Sequence, residues 1–353
     1  MRIMVTGGAG FVGSHLALSF KREMPHSTVI ALDNLKRRGS ELALRRLATG
    51  GVEFRHGDIR NREDLSDAGN LDLLIECSAE PSVQAGLAGD DRYLINTNLI
   101  GTINCLDHAR SHGAAVVFLS TSRVYPIAAL RDLPLVATET RFVIPGANTG
   151  PGWSTHGIAE NFTLTGSRSL YGATKLCSEL IIAEYVALYG LPAVINRCGV
   201  VTGPWQMGKV DQGFIVFWAA RHLFGGPLSY NGFGGAGLQV RDALHADDLY
   251  SLVRDQVAQM PAHSGKTYNV GGGAERTVSL AELTETCVER TGRRLAITSQ
   301  PETNPADVPY YVTDHSAVTT ATGWRPRLSM SAILDDIFGW LREHRRELEV
   351  ILQ

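Results

Sequence analysis

The sequence predicts an α/β protein: a doubly wound parallel sheet over residues 1–200, followed by a smaller α/β lobe over 201–353 that is partly interleaved with it. Three observations predict it. Short β-branched runs alternate with amphipathic helical stretches from Met1 to about Cys198. A glycine-rich turn, Gly7-Gly8-Ala9-Gly10-Phe11-Val12-Gly13, separates the first run from the first helical stretch. Beyond Gly199 the alternation becomes irregular, and clusters at Gly225-Gly226, Gly232 to Gly237 and Gly271 to Gly273 divide shorter elements.

Taken in order, a strand near 2–6 stops at the glycine turn and a helix over 11–23 begins at once. Only glycine makes such a turn without a Cβ clash, and the turn lets backbone N–H groups approach a pyrophosphate at a helix N-terminus. A second strand, near 27–32, ends in Asp33 about 20 residues after Gly13, where a carboxylate would hold a ribose diol. A turn or helix N-cap is the other use of such an Asp. Together these elements predict a Rossmann-type dinucleotide site. Further strands are expected near 52–56, 71–77, 115–120 and 192–198, with helices near 41–48, 62–69, 91–112 and 171–189. The run from Tyr125 to Ser169, rich in Pro, Gly, Thr and Ser, is too long for an ordinary loop and reads as a functional loop or inserted flap, about 126–169. The C-terminal lobe should carry helices near 212–224, 246–259, 279–292 and 329–346. Gly232 to Gly237 has the composition of a phosphate loop, but no Lys-Ser/Thr follows, so a hairpin turn is expected.

Composition narrows the function classes. Apolar residues make up 44% and charged residues 20%, as in a globular enzyme with a substantial core. A net charge of −3 gives no electrostatic reason for nucleic acid or an anionic membrane. No apolar stretch has the length of a bilayer span. Five cysteines, Cys77, Cys105, Cys177, Cys198 and Cys287, lack CxxC spacing and mostly sit in apolar runs. They read as reduced core residues, and with a first strand that begins at once they predict the cytoplasm.

Chemistry is expected at Tyr171-Gly-Ala-Thr-Lys175, which opens the helix after the insertion. A spacing of four puts both side chains on one helix face. A Lys ammonium near a phenol favours phenolate, so Tyr171 would act as a general base. Alone, that spacing also suits a surface Lys beside a half-buried Tyr. The strand end Leu119-Ser120-Thr121-Ser122-Arg123-Val124-Tyr125 lies where ligands bind in open α/β sheets, and Thr121 would hydrogen-bond the hydroxyl that Tyr171 deprotonates.

Together these parts resemble the extended short-chain dehydrogenase/reductase family acting on nucleotide sugars, over nearly the whole chain. Within it they are similar to the CDP-paratose 2-epimerase (CDP-tyvelose epimerase) group. The matching stretches are Asp33 to Gly39, His56 to Asn61, Thr138 to Phe142, Asp211 to Phe214 and Gln239 to Asp248. The resemblance implies that Gly7, Gly10, Phe11, Val12 and Gly13 cradle the pyrophosphate, that Asp33 holds the adenosine ribose, and that Asn34 and Lys36 also bind the cofactor. Asp58 and Ile59 would flank the adenine, and Cys77, Ser78, Ala79, Ser120 and Cys198 would line the cofactor. Asn98 would order a water relay, with a helix-surface amide as its other reading, and Lys175 would also hold the nicotinamide ribose. Substrate would meet Thr121, Ser122, Arg123, Gln212, Gly213, Arg241 and Asp307. A buried ion pair between lobes is the other reading of Arg241. The basic run Lys36-Arg37-Arg38 suits a 2′-phosphate, but Asp33 would repel one, and the similar group carries such a run and uses NAD. NAD is the expected cofactor, with no metal.

Several positions depart from the pattern. Glu76 and Cys77 stand where a His-Leu pair is usual, Ser122 and Arg123 where Asn and Lys are usual, Pro126 replaces a glycine, and Pro309 replaces an Arg that meets the nucleotide. Dehydratases of the family carry an Asp-Glu pair directly after the Thr, and decarboxylases a Glu at the second position. Ser122 and Arg123 supply no acid. The expectation is an NAD-dependent nucleotide-sugar epimerase acting at C2 through a transient keto-sugar, assembled as a homodimer through the helices near 91–112 and 171–189. A 4-epimerase or 4-ketosugar reductase, or an inactive NAD-binding regulator, are the alternatives. His108 and His112, four apart, read as a solvated helix end rather than metal ligands, and His245 and Asp248 as helix caps with Asp247 in the first turn.

Overall fold

The computed structural model describes residues 1–67, 69–84, 91–209 and 212–352. The chain divides into two compact units: Met1–Val124 with Leu170–Cys198 and Leu249–Tyr268, and Tyr125–Ser169 with Gly199–Asp248 and Asn269–Gln353. The insertion thus groups with the second unit, and one helical stretch beyond residue 248 groups with the first.

In the first unit, β1 (Arg2–Thr6), β2 (Thr28–Asp33), β3 (Glu53–His56), β4 (Leu73–Glu76) and β5 (Ala115–Thr121) build a sheet with Ala193–Cys198 and Lys266–Val270. Its order is Lys266–Val270, Ala193–Cys198, β5, β4, β1, β2, β3. The pairs β3–β2, β2–β1, β1–β4, β4–β5 and β5–Ala193–Cys198 are parallel. Every residue of β4 and of Ala193–Cys198 is buried, as expected for strands covered on both faces. Met4, Ile30, Leu74, Val116, Phe118 and Ile195 pack there against Cys105, Leu106, Ala109 and Ile182 from the helices. The order reverses between β1 and β4, and such a switch point opens a crevice at the strands' carboxyl ends. Thr6 pairs with Glu76 at that end, and Thr121 with Cys198.

The helix expected over 91–112 is three pieces: Asp91–Ile95, a π-helical turn Asn96–Ile100, and Gly101–His112. The helix near 171 runs Leu170–Tyr189. No helix among the described residues is long and apolar enough to cross a membrane.

In the second unit, Val240–His245 pairs with Val200–Thr202, Thr277–Ser279 and Tyr310–Tyr311. Leu228–Asn231 pairs with Ile297–Gln300 in parallel. The expected hairpin at Gly232–Gly237 is therefore absent. Gly232, Phe233, Gly234, Gly235 and Gly237 all have positive φ, +49° to +84°, and this left-handed run carries the chain away to a different sheet. The insertion is tied to its own unit: the Phe142 N–H donates to the Leu238 carbonyl at 2.9 Å, and Arg141 Nε donates to Glu282 Oε1 at 2.6 Å.

Glu282 also closes a capping box with Ser279 at the start of helix Leu280–Thr291. Burial opposes its charge, but Arg141 and the Ser279 N–H outweigh burial and hold the carboxyl below its ordinary pKa. Such a depressed group stabilises above its unfolded-state pKa and loses that contribution as pH falls through the folded value. Glu282→Ala should cost about 1–2 kcal/mol at pH 7 in urea unfolding, with the gap from wild type shrinking as the solution is acidified. A gap that stays constant to pH 3 would contradict the assignment.

Candidate active site

The turn after β1 is packed to the limit of backbone contact. A Cβ on Gly13 would lie 2.1 Å from the Gly7 carbonyl oxygen, one on Gly10 3.0 Å from the same atom, and one on Gly7 2.9 Å from the Cys77 carbonyl oxygen. Gly7 also has φ +62°, and the Gly10 N–H donates to its oxygen at 2.9 Å. The helix Phe11–Glu23 starts with no side-chain cap and no acidic residue in its first turn. Its N-terminal N–H groups and positive dipole end are left for an anion. The cradle therefore fits a dinucleotide pyrophosphate.

Asp33 closes β2, and its carboxylate accepts from the Ala9 N–H at 3.1 Å and the Leu35 N–H at 2.7 Å, so the ribose-side acid is braced against the glycine turn itself. Burial pushes its pKa up, and these backbone bonds oppose the rise. Beside it, Asn34 Nδ2 donates to Asp58 at 2.8 Å, and Arg60 grips Asp58 through Nε at 2.9 Å and Nη2 at 2.6 Å. Burial would raise the Asp58 carboxyl, but the Arg60 and Asn34 bonds bring it down to about 2. Ile59 is buried next to it. Lys36 lies over the Tyr93 ring, 3.0 Å from its centroid, with the Arg60 guanidinium 4.7 Å from the same ring. Cys77, Ser78 and Ala79 are half-buried where β4 ends.

Across the switch point, Tyr171, Lys175 and Thr121 occupy the carboxyl edge, all buried. The Thr121 hydroxyl oxygen accepts the Arg123 N–H at 3.2 Å, which leaves its own proton to donate. Lys175 Nζ donates to the Leu119 carbonyl at 3.0 Å. Asn98 is fully buried, so it is not a surface amide. It accepts from the Glu80 N–H at 2.8 Å, donates to the Glu80 carbonyl at 3.1 Å, and reaches Thr174 Oγ1 at 3.4 Å. Its carbonyl accepts the Ser178 hydroxyl and the Thr102 hydroxyl, each at 2.9 Å.

The partners of two buried acids here, Glu179 and Glu76, are not evident from the sequence. Glu179, one turn beyond Lys175, pairs with buried Arg197 at 2.7 Å and accepts the Ser120 hydroxyl, so Ser120 is turned to the helix Leu170–Tyr189. Glu76 lies 3.6 Å from the Lys175 ammonium. The i, i+4 spacing of Glu179 from Lys175 was the available signal for the first. Cys198 is buried, and burial pushes its thiol up to about 12.

Gln212, Gly213, Arg241 and Asp307 lie in the second unit. Gly213 has φ +71° and precedes helix Phe214–Phe224, while Gln212 exchanges backbone bonds with Lys209. Asp211 lies outside the described residues. Arg241 donates to Asp307 at 3.0 Å and to the Val308 carbonyl at 2.7 Å, an ion pair inside this unit. Pro309 lines a cavity of 350 Å³ with Arg131, Leu133, Leu135, Phe142, Phe233 and Thr303. His245 Nδ1 accepts the Asp247 N–H at 3.1 Å, as a cap would, but Asp248 instead takes the Arg327 and Leu328 N–H groups at 3.0 Å. His108 is buried rather than solvated, and burial, with His112 beside it, lowers its pKa to about 4.

Known proteins resemble this chain over nearly its whole length. CDP-paratose 2-epimerase of Salmonella typhi is 28% identical over 96% of this chain and 99% of its own. dTDP-glucose 4,6-dehydratase of Mycolicibacterium smegmatis is 30% identical over 97% of this chain and 93% of its own. Among solved structures, a dTDP-glucose 4,6-dehydratase double mutant of Streptomyces venezuelae with NAD bound superposes with a TM-score of 0.80 at 28% identity, covering both chains fully. UDP-glucose 4-epimerase of Thermotoga maritima has the same fold, with a TM-score of 0.79 at 24% identity over 98% of this chain and all of that one. Residues 3–271, from β1 through the last strand of the main sheet, match one family throughout, and the chain belongs to it: the NAD dependent epimerase/dehydratase family.

Proposed function

We propose that the chain is an NAD-dependent nucleotide-sugar epimerase, acting at C2 on the CDP-paratose/CDP-tyvelose pair. The observation that carries this reading is a Tyr171, Lys175 and Thr121 constellation with no acid after Thr121, where Ser122 and Arg123 follow instead. A 4,6-dehydration must protonate a departing hydroxyl, which asks for an acid at that strand end. The full-length likeness to a CDP-paratose 2-epimerase supports the same choice.

The glycine cradle and Asp33 would hold NAD, with Asn34, Lys36, Asp58 and Ile59 around its adenosine and Cys77 to Ala79 beneath it. When bound, NAD supplies a reversible hydride acceptor for the sugar carbon under oxidation. Tyr171, as phenolate, takes the proton of that carbon's hydroxyl, and Thr121 donates a hydrogen bond to the same oxygen. Lys175 stabilises the phenolate by charge. After the keto-sugar has turned, the Tyr171 phenol returns the proton. Asn98, braced by Glu80 and Thr174, keeps the helix carrying Tyr171 in phase. Arg241 would take the nucleotide phosphates, exchanging Asp307 for them, and the cavity beside Pro309 suits a base.

Incubation with CDP-paratose should yield CDP-tyvelose by NMR without added cofactor. Stoichiometric consumption of NAD(P)H would point instead to a 4-ketosugar reductase, inversion of a different sugar at C4 to a 4-epimerase, and no thermal shift with any nucleotide sugar to a regulator. Tyr171→Phe should lower kcat by about 10²–10⁴-fold while retaining NAD. Gly13→Ala should abolish NAD recovery on denaturation, because its methyl group has no room against Gly7. We further expect a homodimer through helix Leu170–Tyr189, on which Leu180, Leu188 and Tyr189 are more than half exposed. Sedimentation of Leu180→Glu should show monomer; an unchanged dimer would place the interface elsewhere.

A further inference from the structure

Glu76 is a buried acid that the proposed cycle leaves without a task. It ends β4, in register with Thr6 on one side and Phe118 on the other. Its side chain is 1% exposed, and the Ser78 N–H, the Thr6 hydroxyl and the Lys175 ammonium lie around the carboxylate without any of them closing a short hydrogen bond to it. The Lys175 ammonium, 2% exposed, lies 3.6 Å from Oε2 and 4.4 Å from the centroid of the Phe118 ring. A carboxylate in such a place is costly unless an opposite charge accompanies it.

The titratable groups around the pair are thiols: Cys77 after β4, Cys105 on the helix Gly101–His112, and Cys198 on the neighbouring strand. Burial pushes all three up, so they carry no charge near neutrality. Burial also raises Glu76, against the pull of Lys175. One turn along, Glu179 and Arg197 form a closed pair of their own. Tyr171 stands one turn before Lys175 on the same helix face.

We propose that Glu76 is a positioning residue, whose buried carboxylate draws Lys175 toward the sheet and offsets the ammonium charge felt by the Tyr171 phenol. This rests on the reading of Tyr171 and Lys175 as the acid–base pair. With Glu76 ionised, Tyr171 faces a nearly neutral pair rather than a full positive charge, and less of the ammonium's field is left to stabilise a phenolate. Protonation of Glu76 restores the charge.

The test is an absorbance titration of phenolate in the purified protein, wild type minus Tyr171→Phe, with no substrate present. Glu76→Gln should move the Tyr171 midpoint down by about one pH unit or more, a tenfold rise in its ionisation constant. Glu76→Asp, with its charge drawn back, should fall between the two, and it serves alone if the Gln variant does not fold. In a Lys175→Met background the lone buried carboxylate takes up a proton, and Glu76→Gln should then shift nothing. A midpoint unchanged or raised in both Glu76 variants, or the same fall without Lys175, overturns the proposal. Because no sugar enters the measurement, failure to epimerise CDP-paratose leaves this result standing and overturns only the assigned substrate.

Discussion

One carbonyl oxygen, that of Gly7, sets the terms for the first unit. It accepts the Gly10 N–H, and the backbone of Gly13 passes so near that no β-carbon fits between them. That contact brings the start of a helix against the end of β1, while Gly7 itself leans on the Cys77 carbonyl at the end of β4. The adjacency of β1 and β4 at the point of strand reversal is therefore fixed by backbone atoms. Side chains then decorate an opening whose width they did not choose.

The helix Leu170–Tyr189 faces that opening with an unusual row for a covered helix: Thr174, Lys175, Ser178 and Glu179 are all buried. Burying such groups is tolerable only when each finds a partner. Thr174 and Ser178 meet Asn98, and Glu179 meets Arg197 and Ser120. The helix is thus held by directional bonds as well as by apolar packing, which fixes its rotation about its own axis and hence the aim of Tyr171.

The periodicity of hydrophobic residues made the main sheet legible almost strand for strand, because β-branched runs between glycine turns have few other uses. The glycine turn, Asp33 and the Tyr171–Lys175 spacing were legible for the same reason: local geometry dictates residue type. The partners of buried charges were not. Nothing local in the sequence ties Arg197 to Glu179 or Glu76 to Lys175, since those meetings depend on strand order. The left-handed path through Gly232 to Gly237 has a composition that also suits a hairpin, and only the distant partner strand Ile297–Gln300 tells the two apart.

The π turn at Asn96–Ile100 holds one residue more than an α-helix would use. Each residue advances a helix by about 100°, so the extra one rotates everything after it relative to everything before. Downstream, Cys105, Leu106 and Ala109 point into the core; within the turn, Asn98 points at Thr174. An uninterrupted helix could satisfy one of those orientations and not the other. The irregular turn is a phase correction that lets a single stretch of chain keep two incompatible angular appointments, and shortening it by one residue would force the protein to choose between its core and its amide.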